Sequence, residues 1–120
     1  MVTAFRLELM NDQDLPRGGP GRAIYGTCAL TEFKVEAMPS DRPGERMQLK
    51  FMQATADVNP PERELEKIFD NRNGQRRVTG PVVVANDGNN QTAWGIDIGS
   101  GRSNVPRQAV FTLEQPLDLP

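Results

Sequence analysis

The chain has 120 residues, with 14 basic and 16 acidic side chains, a formal net charge of −2 and a mean hydropathy of −0.56. A length of this order holds one hydrophobic core, so a single domain over residues 1–120 is expected, and the charge balance gives no electrostatic footprint for nucleic acid. No apolar stretch approaches the roughly 20 residues that span a bilayer, no basic-then-apolar segment at Met1 marks a signal peptide, and the absence of histidine removes Ser-His and Cys-His activation, His-ligated zinc and imidazole proton shuttling.

Residues 3–10 alternate, with Phe5, Leu7 and Leu9 on one face and Arg6 and Glu8 on the other, which predicts a half-buried strand. Residues 11–27 are dense in Gly, Pro, Asn and Asp and predict a long loop. The next predicted strand covers residues 28–37, where Phe33, Val35 and Ala37 alternate with Glu32, Lys34 and Glu36; Leu30 falls out of phase with Phe33, as a β-bulge between them would leave it. Cys28, the lone cysteine, excludes an intrachain disulfide and reads as a small buried hydrophobe.

A third alternating strand is predicted over residues 47–57, and the shared one-sided polarity argues for antiparallel sheet. Residues 59–81 depart from this pattern: Asn59 can cap, Pro60 and Pro61 suit a first turn, and Leu65, Ile68 and Phe69 share a face at spacings of three and four, so one short helix is predicted near 61–69. Strands over 92–97 and 107–115 complete the set, with Phe111 and Leu113 inward and Thr112 and Glu114 outward. The single tryptophan, Trp94, is expected to be structural, packed against the segment from Ala54 to Asp57.

The densest polar cluster runs from Asn86 to Thr92. Its Asp, Asn and Thr oxygens are the hard donors calcium takes, and Gly88 permits the backbone angles that converge them. An ordinary turn is the alternative on composition.

Asp87-Gly88-Asn89-Asn90-Gln91-Thr92-Ala93-Trp94 resembles the D-G-[DN]-x-x-T-x-W signature of discoidin or coagulation-factor type C domains and related carbohydrate-binding modules. Gln53-Ala54-Thr55-Ala56-Asp57 is similar to the Ala-Ser-rich strand that precedes it there, and Leu30-Thr31-Glu32-Phe33-Lys34-Val35 to the family's closing strand, L-x-E-[IFV]-x-V. Here the Glu strand comes before the Asp-Gly segment, so the chain resembles a circularly permuted member. Together with its opening strand, Leu15-Pro16 and the run from Gly18 to Arg22, it is similar to a discoidin-like region found between cytochrome-c-like and partner domains of large exported planctomycete proteins. The likeness covers most of residues 3–57 and 82–115.

The resemblance implies an all-β antiparallel sandwich of the galactose-binding-like or jelly-roll kind, truncated at its C-terminal end relative to relatives that continue past Leu117 to Pro120. It implies a non-catalytic accessory module of a larger exported protein, periplasmic or extracellular, that binds glycan through loops at one end. It also implies a structural calcium held by Glu32, Asp87, Asn89 and Thr92, which requires Glu32 and Asp87 to meet across a long stretch of chain.

In the loops themselves, Arg22 and Tyr25 of the first, with Arg102 and Asn104 of the run from Gly99 to Asn104, supply an aromatic face and planar donors suited to a sugar or a carboxylate. The competing reading is a docking module that positions neighbouring cytochrome-like and partner domains; with no C-x-x-C-H, this segment carries no c-type heme itself. A carboxylate-pair glycosidase using two of Glu8, Glu32, Asp87 and Asp97 is the enzymatic alternative, and a small sandwich without a deep cleft suits it poorly.

Overall fold

The computed structural model describes residues 1–69, 76–99 and 101–119. Its longest elements are the alternating segments at the two ends of the chain. β1 (Val2–Leu9) pairs antiparallel with β9 (Arg107–Leu117), Phe5 opposite Phe111 and Leu7 opposite Ala109. The alternation on β9 holds as expected, with Ala109, Phe111 and Leu113 buried and Glu114 exposed.

The run over 47–57 serves two sheets rather than one. Met47–Gln48 (β4) forms a short ladder with Glu36–Ala37 (β3), while Phe51–Ala56 (β5) pairs with β9 to complete the sheet β1-β9-β5. Between them the Leu49 N–H donates to Val35 O at 2.8 Å, and Lys50 O accepts from the Glu114 N–H at 2.9 Å. Each backbone group thus finds a different partner as the chain changes sheets.

The predicted strand at 28–37 is interrupted by more than a bulge. Only Ala29–Leu30 (β2) and β3 at its ends are paired; between them the Phe33 N–H donates to Ala85 O at 2.7 Å and the Asn86 side-chain amide to Phe33 O at 3.0 Å. A turn of 3-10 helix, Val82–Asn86, has taken the backbone groups a neighbouring strand would use. Its Val82, Val84 and Ala85 are buried.

The helix expected near 61–69 does not form. Arg63–Glu64 (β6) pairs antiparallel with Val78–Gly80 (β7), the Leu65 N–H donates to Arg77 O at 2.9 Å, and only Lys67–Phe69 winds into a single 3-10 turn. The helical spacing covered too few turns to outweigh sheet pairing. Ile68, which that spacing turns inward, is 59% exposed. Asn73-Gly74, a dipeptide whose sequence favours a turn, lies outside the described residues.

Thr92–Gly95 (β8), shorter than the 92–97 expected, joins β2 antiparallel and β7 parallel, giving a second sheet of order β2-β8-β7-β6. The antiparallel expectation is corrected at this one pair, because β7 reaches β8 by a crossover through the 82–86 turn instead of a hairpin. The fold is all-β and sandwich-like. The two sheets share a core in which Trp94 and Ile96 meet Ala109 and Phe111, with Leu7, Leu9, Ala54, Ala56 and Val58 packed against them.

Aromatic rings fill one end of this core. Phe33 stacks on Phe111 at 4.4 Å between centroids and 24° between planes, with Phe51 5.4 Å from Phe111. Trp94 is fully buried, as expected, and its indole N–H donates to Val58 O at 3.0 Å, just beyond the segment foreseen as its partner. That bond satisfies the one polar atom of a ring otherwise sunk in apolar contacts. Among the described residues no helix is long and apolar enough to cross a membrane.

Candidate functional site

The loop over residues 11–27 is ordered against the rest of the molecule. The Gly21 N–H donates to Gly26 O at 2.8 Å, and Gly21 passes so close to the next turn that a Cβ there would lie 2.0 Å from Thr27 O. Only glycine permits that approach. Asn104, from the segment before β9, reaches across with its side-chain amide to Gly19 O at 2.8 Å and Tyr25 O at 2.9 Å, and its own carbonyl accepts from the Asn11 side-chain amide at 2.9 Å. The two loops singled out in the sequence are therefore tied together, with Asn104 as the tie.

Against the second sheet the end of the first loop and the segment from Pro60 to Phe69 border a cleft of about 260 Å³, whose strand residues include Ala29, Thr79, Gly95 and Arg63. Small side chains keep it open: Ala29 sits opposite Gly95, and a Cβ on Gly95 would come within 3.0 Å of Thr79 Cβ. Leu65, Phe69 and Cys28 add apolar wall. Thr27 and Asp97 are shared with an adjoining hollow of about 310 Å³ that also meets Arg17, Tyr25, Ser103 and Asn104. The Tyr25 ring stands edge-on to Phe69 at 5.9 Å, and the Arg17 guanidinium lies 4.9 Å from the Tyr25 centroid on its face.

Asp97 marks the junction of the two hollows. Its Oδ2 is 3.8 Å from Arg63 Nη2, which also donates to Asp97 O at 2.8 Å, and its Oδ1 accepts from Ser103 Oγ at 3.2 Å. Ser103, buried, accepts in turn from the Ile98 N–H at 2.9 Å, so the carboxylate is held on a fixed backbone. The pair is a cation fork beside an acceptor in a partly apolar cleft, the arrangement that grips neighbouring hydroxyl groups. Cys28, on the same wall, has its thiol pKa raised by burial, which keeps it protonated and unreactive.

Of the residues expected at a ligand site, Tyr25 and Asn104 line the adjoining hollow and not the cleft itself. Arg22 is exposed and lines a separate, wider concavity with Asp12 and Asp14. Arg102 is turned back on its own loop, Nη2 donating to Ile98 O at 2.9 Å, and its carbonyl accepts from Arg107 Nη2. Sequence reasoning missed Arg63 and Phe69, which it assigned to a helix, and weighed Asp97 only as a member of an acid pair. The β-branched pair Val78-Thr79, which pairs with 63–64, is too short to have signalled a strand there.

At the far end of β8, Glu32 and the Asp87 loop do come together. Phe33 is held on Ala85 and Asn86, so Glu32 faces the next turn, and its Oε1 accepts from the Gly88 N–H at 2.8 Å. Asp87 accepts from the Asn89 N–H at 2.9 Å and the Thr92 hydroxyl at 2.5 Å, while Asn89 Oδ1 accepts from the Gln91 N–H at 2.8 Å. Burial raises the Asp87 pKa, but hydrogen bonds from the Thr92 hydroxyl and the Asn89 amide outweigh it, and the net shift is downward. The two carboxylates are thus accommodated by backbone amides and a hydroxyl. Among the described residues no three acidic, Cys or His side chains converge as a metal centre. Glu8 and Asp97, the other acids of the enzymatic alternative, are elsewhere: Glu8 pairs with Arg6 on β1 at 3.1 Å, and Asp97 stands at the cleft.

No protein-family model, curated protein or solved structure matches this chain. Its class is accordingly that of the fold alone, an all-β, sandwich-like protein with a loop-built cleft on one sheet.

Proposed function

We propose that the chain is a non-catalytic carbohydrate-binding accessory module, discoidin-like and circularly permuted, belonging to a larger exported protein, and that it takes a neutral glycan in the cleft beside Asp97. The observation that carries this reading is the convergence of Arg63, Asp97 and Thr27 with the Tyr25 and Phe69 rings at one end of the molecule. A sugar offers adjacent hydroxyls to the fork and acceptor, and C–H faces to the rings. The cleft's charges are mixed, Arg63 and Arg77 with Glu64, Glu66 and Asp97, which favours an uncharged ligand over an acidic one. The chain's lack of histidine and the engagement of Asp97 by Arg63 support the non-catalytic assignment.

The test is a glycan array with the wild-type chain beside Arg63→Ala. Binding that the substitution abolishes supports the cleft; binding that persists unchanged places the sugar elsewhere. The docking alternative draws on Ile24 and Ile68, 61% and 59% exposed, next in sequence to the contacting rings. Silence across the array, with capture of the parent protein's neighbouring domains lost on Ile24→Asp, favours docking.

Calcium at Glu32, Asp87, Asn89 and Thr92 is a separable part of the proposal. The donor chemistry, two carboxylates with amide and hydroxyl oxygens, is that of a hard cation, which would neutralise the paired acids. It would compete there with the N–H and O–H donors already on Asp87 and Glu32. A melting temperature raised by calcium and restored by chelator supports it; one indifferent to both removes it.

A further inference from the structure

β1 uses only one of its two backbone edges. It is bonded to β9, and among the described residues no other segment pairs with it. An eight-residue edge strand without proline presents a row of N–H and C=O groups, a template for another strand. Phe5, Leu7 and Leu9 of this strand are half-buried toward the core, while Arg6 and Glu8 are exposed on the other face, 3.1 Å apart.

We propose that β1 is a homodimerisation edge, pairing antiparallel with β1 of a second copy about a two-fold axis at Leu7. The two three-stranded sheets then run on as one. Charge decides this register. With the axis at Leu7, Arg6 lies opposite Glu8 of the second copy, twice by symmetry, and Phe5 lies opposite Leu9, extending the apolar stripe across the junction. An axis at Arg6 sets that side chain against itself, and an axis at Glu8 does the same with two carboxylates. An axis between residues turns Leu7 toward the charged face, since a slip of one residue exchanges the faces of the strand. An axis at Phe5 pairs Val2 through Glu8 but sets Arg6 opposite Ala4 and Glu8 opposite Val2, so it brings no opposite charges together, and axes at the last residues of either end leave much of β1 unpaired.

The edge belongs to the sheet that does not carry the cleft, so the proposal stands apart from glycan binding. Sedimentation of the full chain over a concentration series tests it, with Arg6→Glu, Glu8→Arg and the combined exchange. Both side chains are exposed, so the fold is retained, and circular dichroism checks that. The wild type is expected to show a monomer–dimer equilibrium. Each single reversal should weaken it by about tenfold, turning two attractive cross-strand pairs into repulsive ones, and the double exchange should restore it. A wild type that stays monomeric into the millimolar range overturns the proposal. So does a dimer indifferent to the single reversals, or one the double exchange fails to rescue.

Discussion

The two sheets are built on different terms. β1, β5 and β9 are strands of 8, 6 and 11 residues whose alternation writes their pairing into the local sequence, whereas β2, β8, β7 and β6 contribute 2, 4, 3 and 2 residues. The second sheet is held by what lies around it: the 82–86 turn, the Asn104 tie and the Trp94 ring. Short strands with small residues at Ala29, Thr79 and Gly95 leave room for a cleft that a fully dressed sheet face would fill. One sheet carries its pairing in its own long strands, and the other, supported from outside, carries the candidate cleft.

Trp94 joins the two, and removing it should have the largest effect. Trp94→Ala is expected to cost about 3–5 kcal/mol, the range for emptying a fully buried aromatic site, read by urea unfolding. A loss under about 1 kcal/mol would mean that the sheets stand independently of the ring.

Gly21→Ala comes next, because its Cβ has no space beside Thr27 O. A cost of about 1–3 kcal/mol is expected from the forced backbone shift, together with loss of glycan binding. Asn104→Ala should cost about 1–2 kcal/mol by leaving the carbonyls of Gly19 and Tyr25 without their donor. Hydrogen exchange in that variant should rise in the first loop and stay unchanged in β1 and β9; uniform change would erase the contrast between the sheets.

Arg63→Ala separates site from scaffold. Its ion pair is half exposed, so stability should move by no more than about 0.5 kcal/mol, while binding is lost. The smallest effect is expected at Asp87, which is largely exposed. Its pKa is lowered in the folded chain, so its stabilising contribution is present above the unfolded value, about 3.9, and is lost as pH falls through the folded value. Asp87→Asn should flatten that acid limb of a melting-temperature profile slightly and leave neutral pH nearly unchanged.

The same contrast governs what could be read from the sequence. β1 and β9 were legible because one face of each is buried and a period of two records that directly. β7 was not: Val78, Thr79 and Gly80 are too few to show a period, and their parallel partner on β8 is chosen by tertiary packing. Leu65, Ile68 and Phe69 suggested a helix face, yet Ile68 is exposed and the backbone of 63–65 is claimed by β7 and Arg77. The meeting of Glu32 with the Asp87 loop was expected only through a resemblance of two short motifs, and not through the Phe33 bonds that enforce it. The cleft left no local mark, since Thr27, Arg63, Phe69 and Asp97 come from separate pieces of chain that only the fold assembles.

Amide chemical-shift mapping on isotope-labelled chain, titrated with the saccharide that binds best on the array, tests whether the sugar sits in the cleft beside Asp97. Shifts are expected to concentrate at Thr27, Ala29, Arg63, Gly95 and Asp97, while β1, β5 and the core of β9 stay silent. Shifts centred on the β1-β9-β5 sheet, or on Arg22 and Arg102 with Asp97 unmoved, would contradict it.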